Sequence, residues 1–152
     1  MNDLPEQASG HLAPISSASV WTGERVQVID VKDGFPVTRG VGAWRIETRP
    51  STDGLIELTG FPFAKRLRLA VDPSRDALVV GDAVFVGRPL SGNTPLAQGA
   101  PFDGVVFEKS GGRIHGTVSI LFLESERALV DFDKLWVDGH RVRAYGFIER
   151  QD

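Results

Sequence analysis

The stretch that decides the fold runs from residue 129 to residue 148: Leu129-Val130-Asp131-Phe132-Asp133-Lys134-Leu135-Trp136-Val137-Asp138-Gly139-His140-Arg141-Val142-Arg143-Ala144-Tyr145-Gly146-Phe147-Ile148. Asp138-Gly139 stands between two alternating runs, and this dipeptide suits a two-residue type I′ turn because both residues tolerate positive φ. The turn then sets the register. Leu135 is expected opposite Val142, Asp133 opposite Ala144, Asp131 opposite Gly146 and Leu129 opposite Ile148. The other face pairs Trp136 with Arg141, Phe132 with Tyr145 and Val130 with Phe147. A competing pattern is present: Ala128, Leu129, Phe132, Leu135 and Trp136 also fall at helical spacing, with Ser125 as a cap. The β-branched Val130 and Val137 and the turn that follows favour a strand.

Working back from the hairpin, period-two segments recur along the chain. Val26 and Val28 alternate within 25–31, and Trp44 and Ile46 share a side within 42–48. Leu55 to Leu58 follow a Thr52-Asp53-Gly54 turn. Leu67, Leu69 and Val71 form one face, residues 77–86 form a β-branched run broken at Gly81-Asp82, and residues 105–107 form a short one. Ile114, Gly116, Val118, Ile120 and Phe122 share a face. Such segments with Gly and Pro between them are strand signatures, and they amount to eight to ten strands. No crossover helix is evident, which argues against a parallel α/β fold. The expectation is an all-β, antiparallel β-barrel, up-and-down or Greek-key, of lipocalin- or cyclase-like architecture, with a β-sandwich as the alternative. Residues 1–18 read as an irregular N-terminal arm and 19–152 as a single barrel domain.

Composition narrows the function classes. The chain has 152 residues, of which 41% are hydrophobic and 24% charged, as expected for one globular domain. Its net charge of −3 offers no basic field for a phosphate backbone, so nucleic acid is not an expected partner. No segment reaches the roughly 20 apolar residues of a membrane-spanning helix, and residues 1–7 do not read as a secretory signal. With no cysteine there is no disulfide, thiolate metal site or cysteine nucleophile. A cytoplasmic location is the expectation, with a homo-oligomer admitted.

Few residues carry chemistry. Asp131 and Asp133, two apart on a strand, point the same way. The expected register sets them against the small Ala144 and Gly146, an acidic notch if this face lines a barrel. Paired carboxylates there would hold a proton for acid–base work, with Tyr145 or His115 as helper. His115 shares a face with Thr117 and Ser119. The opposite reading puts the aspartates in solvent and packs Val130, Phe132, Tyr145 and Phe147 inward. The three histidines show no metal-ligand spacing, and there is no nucleophile elbow or Walker loop, so neither a metal nor a cofactor is expected. Gly42-Ala43-Trp44 has the Gly-x-Trp spacing of lipocalin-type first strands. Three residues assign no family, and a core tryptophan accounts for Trp44.

The segment 88–104 is long, rich in Gly and Pro and without period, as in binding loops. Leu90, Leu96 and Phe102 are its candidates for covering a barrel mouth, and Trp44 and Trp136 are the aromatic candidates for ligand contact. Three functions are therefore weighed: binding of a small apolar molecule inside the barrel, a cofactor-independent isomerase or cyclase on the same barrel, and a structural or protein-interaction module.

Overall fold

Strands form wherever apolar and polar residues alternate, or where a short β-branched run is bounded by turn residues. The computed structural model describes residues 18–29, 39–61, 67–89, 103–124 and 126–151, the side chains of 24–29, 39–42, 103, 124 and 133 excepted. They contain ten strands: β1 (Ser19–Ile29), β2 (Arg39–Pro50), β3 (Ile56–Thr59), β4 (Leu69–Asp72), β5 (Ala77–Val80), β6 (Ala83–Pro89), β7 (Asp103–Lys109), β8 (Ile114–Glu124), β9 (Arg127–Val137) and β10 (His140–Arg150). No helix occurs among the described residues, and the segment with competing helical spacing is strand β9.

Each strand pairs antiparallel with the next, and β10 returns to pair with β1. The sheet is a closed, ten-stranded meander. Closure decides between barrel and sandwich, and it removes the unpaired edges of an open sheet.

The core follows from the alternation. On β10, Val142, Ala144 and Ile148 are buried and their neighbours Arg141, Tyr145, Phe147 and Glu149 are exposed. On β8, Ile114, Val118, Ile120 and Phe122 turn inward. The short strands β4 and β5 are buried along their whole length, as their near-continuous apolar sequences imply. At one end of the barrel the core accommodates polar groups by pairing them. The indole N–H of Trp21 donates to Ser19 Oγ at 3.0 Å, and the Ser19 amide donates to Thr48 Oγ1 at 2.9 Å. All three residues are buried, so these bonds replace the water each group gave up.

The hairpin begins as its sequence specifies and then departs from it. Asp138 and Gly139 have φ of 51° and 81°, as a type I′ turn requires. His140 faces Val137, Arg141 faces Trp136 and Val142 faces Leu135. Beyond this point the register shifts by one: Asp131 faces Tyr145, Val130 faces Gly146, Leu129 faces Phe147 and Ala128 faces Ile148. The expected pairs Asp131–Gly146, Leu129–Ile148, Val130–Phe147 and Phe132–Tyr145 are thus corrected. The cause is a β-bulge in β9. Its pairing with β8 shifts at the same place, between Thr117 and Ser119, so the additional residue belongs to β9. Burial locates it. Ala128, Val130 and Phe132 are buried at intervals of two, and the next buried residues are Leu135 and Val137. The step of three from Phe132 to Leu135 is the bulge. Across from it, Gly116 has φ +124°, and a Cβ there would collide with the Lys134 carbonyl, so only glycine fits this close approach of two backbones.

Candidate functional site on the outer face

The barrel offers two surfaces for function, the interior and the wall. Inside, Phe61 meets Phe132 edge to face at 5.0 Å between ring centroids, and Trp44 meets Phe61 in the same way at 5.1 Å. Trp44 also approaches Phe132 at 6.5 Å. These rings, with Trp21, Phe85 and Phe107, fill much of the space the strands enclose. Next to them lies an apolar cavity of about 20 Å³, lined by residues that include Ile46, Leu78, Ile120, Val130 and Ile148. Trp44 is a core tryptophan, and its buried indole nitrogen has no hydrogen-bond partner.

The wall is different over β8, β9 and β10. Because Val118, Ile120 and Phe122 point inward, His115, Thr117, Ser119 and Leu121 point outward. The registers align them into rows. His115 lies opposite Trp136, which lies opposite Arg141. Thr117 lies opposite Lys134. Ser119 lies opposite Asp131, which lies opposite Tyr145. Leu121 lies opposite Leu129, which lies opposite Phe147. Trp136, Tyr145 and Phe147 are 37%, 42% and 48% exposed.

Local contacts fix several of these groups. The His115 and Trp136 rings stack, 6.4 Å apart and 8° from parallel. His115 Nδ1 lies 2.8 Å from the Gly112 carbonyl. A carbonyl only accepts, so Nδ1 carries a proton, and in the neutral ring Nε2 is the acceptor. The Arg127 guanidinium lies 4.8 Å from the centre of the Phe147 ring, a cation–π contact, and 3.8 Å from the Glu149 carboxylate. Beside the bulge, Thr117, Ser119, Asp131 and Lys134 line a shallow groove of about 160 Å³. It presents two hydroxyls, an acceptor and an ammonium, enough to orient a polar group but open to water.

Of the residues expected to act inside a barrel, Asp131 is instead half-buried on the outer wall, because the bulge inverts which residues of β9 face inward. The opposite reading is corrected as well. Phe132 and Val130 are inside, but Tyr145 and Phe147 are outside. Asp131 and Tyr145 do lie in one row, and His115 lies on the same face with the Thr117–Lys134 row between. Asp133 lies in the bulge, and its side chain falls outside the described residues, as do Leu90, Leu96 and Phe102 and most of the 88–104 segment. Trp136 belongs to the outer face and Trp44 to the core, so these two tryptophans do not share a site. The sequence reading did not single out Leu121 and Arg127, and it placed Leu129 and Phe147 in hairpin pairs that the bulge alters. The available signal was the row structure of an antiparallel sheet, which needs the correct register before it can be read.

The carboxylates with shifted pKa values lie elsewhere. The Ser51 hydroxyl and then Arg68 hold the Asp53 carboxyl down to about 2. Ser74 and then Arg75 lower that of Asp72, and Arg49 lowers that of Glu47. Asp53 and Asp72 brace turns, and Glu47 joins an ion pair along β2. Among the described residues no group of three His, Asp or Glu side chains is placed to hold a metal ion, and no helix is long and apolar enough to cross a membrane. Comparison with known proteins gives no match to a family model, to a curated protein or to a solved structure.

Proposed function

We propose that this protein is a protein-interaction module that works through the outer face of β8, β9 and β10. The observation that carries this reading is the set of three aromatic side chains, Trp136, Tyr145 and Phe147, held on a rigid barrel wall with between a third and a half of their surface in water. Exposed apolar residues are ordinary singly, but contiguous ones mark contact surfaces; Tyr145 and Phe147 are successive outward residues of β10 with Leu129 beside Phe147, and Trp136 stands on the same face beyond the Thr117–Lys134 row. Aromatic residues and arginine are the types that dominate binding energy at interfaces, and here Arg127 and Arg141 stand beside the rings.

The interior supports the competing reading less well. A cavity of about 20 Å³ is close to the space one water needs, whereas an engineered cavity that admits benzene measures roughly 150 Å³. For the enzyme reading, Asp131 and Tyr145 are neighbours, but they face solvent rather than a closed site that excludes water.

The test is carbene footprinting read by mass spectrometry. The purified chain at low micromolar concentration is compared with the same chain in an extract of the cells that make it. Loss of labelling on Trp136, Tyr145 and Phe147 in the extract, with Val84 and Val86 on β6 labelled equally in both, is the expected result. Equal labelling of the β8–β10 face in both samples, and again when the purified chain is raised to several hundred micromolar, overturns the proposal. Saturable one-to-one binding of dodecanoate in calorimetry would then move the reading to the interior.

A further inference from the structure

We propose that the outer face of β10 is a two-fold interface between two copies of this chain, in which Arg143 meets Glu149 of the partner subunit and Tyr145 meets Phe147 of the partner subunit. The inference rests on the outer-face reading above and names its partner.

A two-fold interface must be complementary to itself: if residue i touches residue j, then j touches i. A strand has a simple way to meet this condition. When two copies of one strand lie face to face and antiparallel, about an axis at the level of one residue, each side chain meets the one equally far beyond that residue in the other copy. Only every second residue points outward. On β10 the outward residues are Arg141, Arg143, Tyr145, Phe147 and Glu149, and Gly146 is the midpoint between the two aromatics. One place on either side of Gly146 are Tyr145 and Phe147, which are rings of similar size and exposure. Three places on either side are Arg143 and Glu149, of opposite charge. Five places on either side are Arg141 and Gln151, both exposed. The Gln151 side-chain nitrogen donates to the Glu149 carbonyl at 3.1 Å, which leaves its amide oxygen for a guanidinium.

The pattern is therefore a palindrome in chemistry, with aromatic on aromatic and cation on anion. A parallel approach of the same strands would set Arg143 on Arg143 and Glu149 on Glu149, and like charges in contact exclude that arrangement. The shape of the barrel agrees with this choice. A convex wall meets its copy along a crest, so one strand carries most of the contact, and Leu129 beside Phe147 extends the apolar centre. Glu149 is drawn toward Arg127 in the single chain, and an arginine fork of five N–H donors allows Arg143 to keep an existing partner and accept a second. A contact of this size belongs with small, transient interfaces, so a dissociation constant of about 10–100 µM is expected.

Sedimentation velocity of the purified chain, from low micromolar to several hundred micromolar, is the first arm. A concentration-dependent shift from monomer to dimer is expected, and a monomer throughout overturns the inference. The second arm uses Arg143→Glu and Glu149→Arg singly and together. Each single reversal is expected to weaken the dimer by about tenfold or more, because it sets like charges opposite one another. The exchange of both restores it. Dimerisation that is indifferent to the single reversals, or that the double exchange fails to restore, overturns the inference. Phe147→Ser, a surface change that leaves the fold intact by circular dichroism, is expected to abolish the dimer, and a persistent dimer would likewise count against the interface. A chain that stays monomeric yet is protected on β8–β10 in extract refutes the second copy alone; absence of both effects refutes the outer-face reading too.

Discussion

Phe132→Ala tests where the wall of the barrel bends. Without a bulge, a strand anchored by inward Leu135 and Val137 turns Asp131 and Asp133 inward and Phe132 outward. With the bulge, Phe132 lies inside, where it is 3% exposed and meets the Phe61 ring at 5.0 Å. Truncation removes roughly 100 Å³ of side chain, and at about 24 cal/mol per Å³ the unrelaxed cavity costs about 2.4 kcal/mol. The lost transfer of ring carbons to the interior adds roughly 2 kcal/mol, so the expected destabilisation is about 4 kcal/mol, within the usual range for buried phenylalanine. For a domain of this size that lowers the melting temperature by about 8–16 °C. The assay is urea unfolding of wild type and variant followed by intrinsic fluorescence, with the slope against denaturant checked for constancy. The new space adjoins the existing apolar cavity, so benzene should raise the melting temperature of the variant and not that of wild type. A loss below about 1 kcal/mol, with no response to benzene, would place Phe132 on the surface and refute the bulge.

Other predictions follow from the same geometry. Asp131→Asn should cost no more than about 1 kcal/mol, the size of one half-exposed polar contact on an outer wall; a loss of about 3 kcal/mol or more in urea unfolding would return Asp131 to the interior. Gly116→Ala should cost about 2 kcal/mol or more, because its Cβ meets the Lys134 carbonyl, whereas Gly111→Ala, also at positive φ but with open space around it, should cost about 1 kcal/mol; equal costs in paired melts would contradict this. Asp53, Asp72 and Glu47 have folded pKa values below their ordinary ones, so the stability they add is present above about pH 4.5 and is lost as the pH falls toward about 2. Melting temperature against pH should show that loss, and Asp53→Asn and Asp72→Asn should flatten it. Of the three tryptophans, Trp21 and Trp44 are buried and Trp136 is exposed, so Trp136→Phe should remove most of the fluorescence that acrylamide quenches.

Much of the fold was legible in the residues, and the reasons are local. Asp138-Gly139 announces its turn because positive φ at two successive residues is a narrow requirement. Alternation announces the strands because one face of a barrel wall is dry. The bulge in β9 broke the inference where register mattered most. It needs no Gly or Pro of its own in β9, and the glycine that admits it, Gly116, sits on the neighbouring strand. The competing helical pattern in this segment has the same origin. A strand that steps by three between Phe132 and Leu135 acquires, over one turn's length, the spacing of a helix. A slip of one residue exchanges the two faces of a strand, which is why Asp131 belongs to the wall and not to the interior. The site was therefore half-legible: Asp131, Tyr145 and His115 do share a surface, but it faces the other way.

The seam between β1 and β10 joins Trp21 to Arg150 and the Val20 carbonyl to the Gln151 amide, so the first and last of the ten strands are partners. Nine strands can zip to their neighbours by local hairpins, yet the ring stays open until the tenth arrives. Until β10 has left the ribosome, the sheet keeps two bare margins. The final pairing spans nearly the whole sequence, and contacts of such long separation fold slowly. Truncation or a stall before residue 140 leaves not a weakened barrel but an open template for strand addition, the kind of species that chaperones attend and that aggregates grow from.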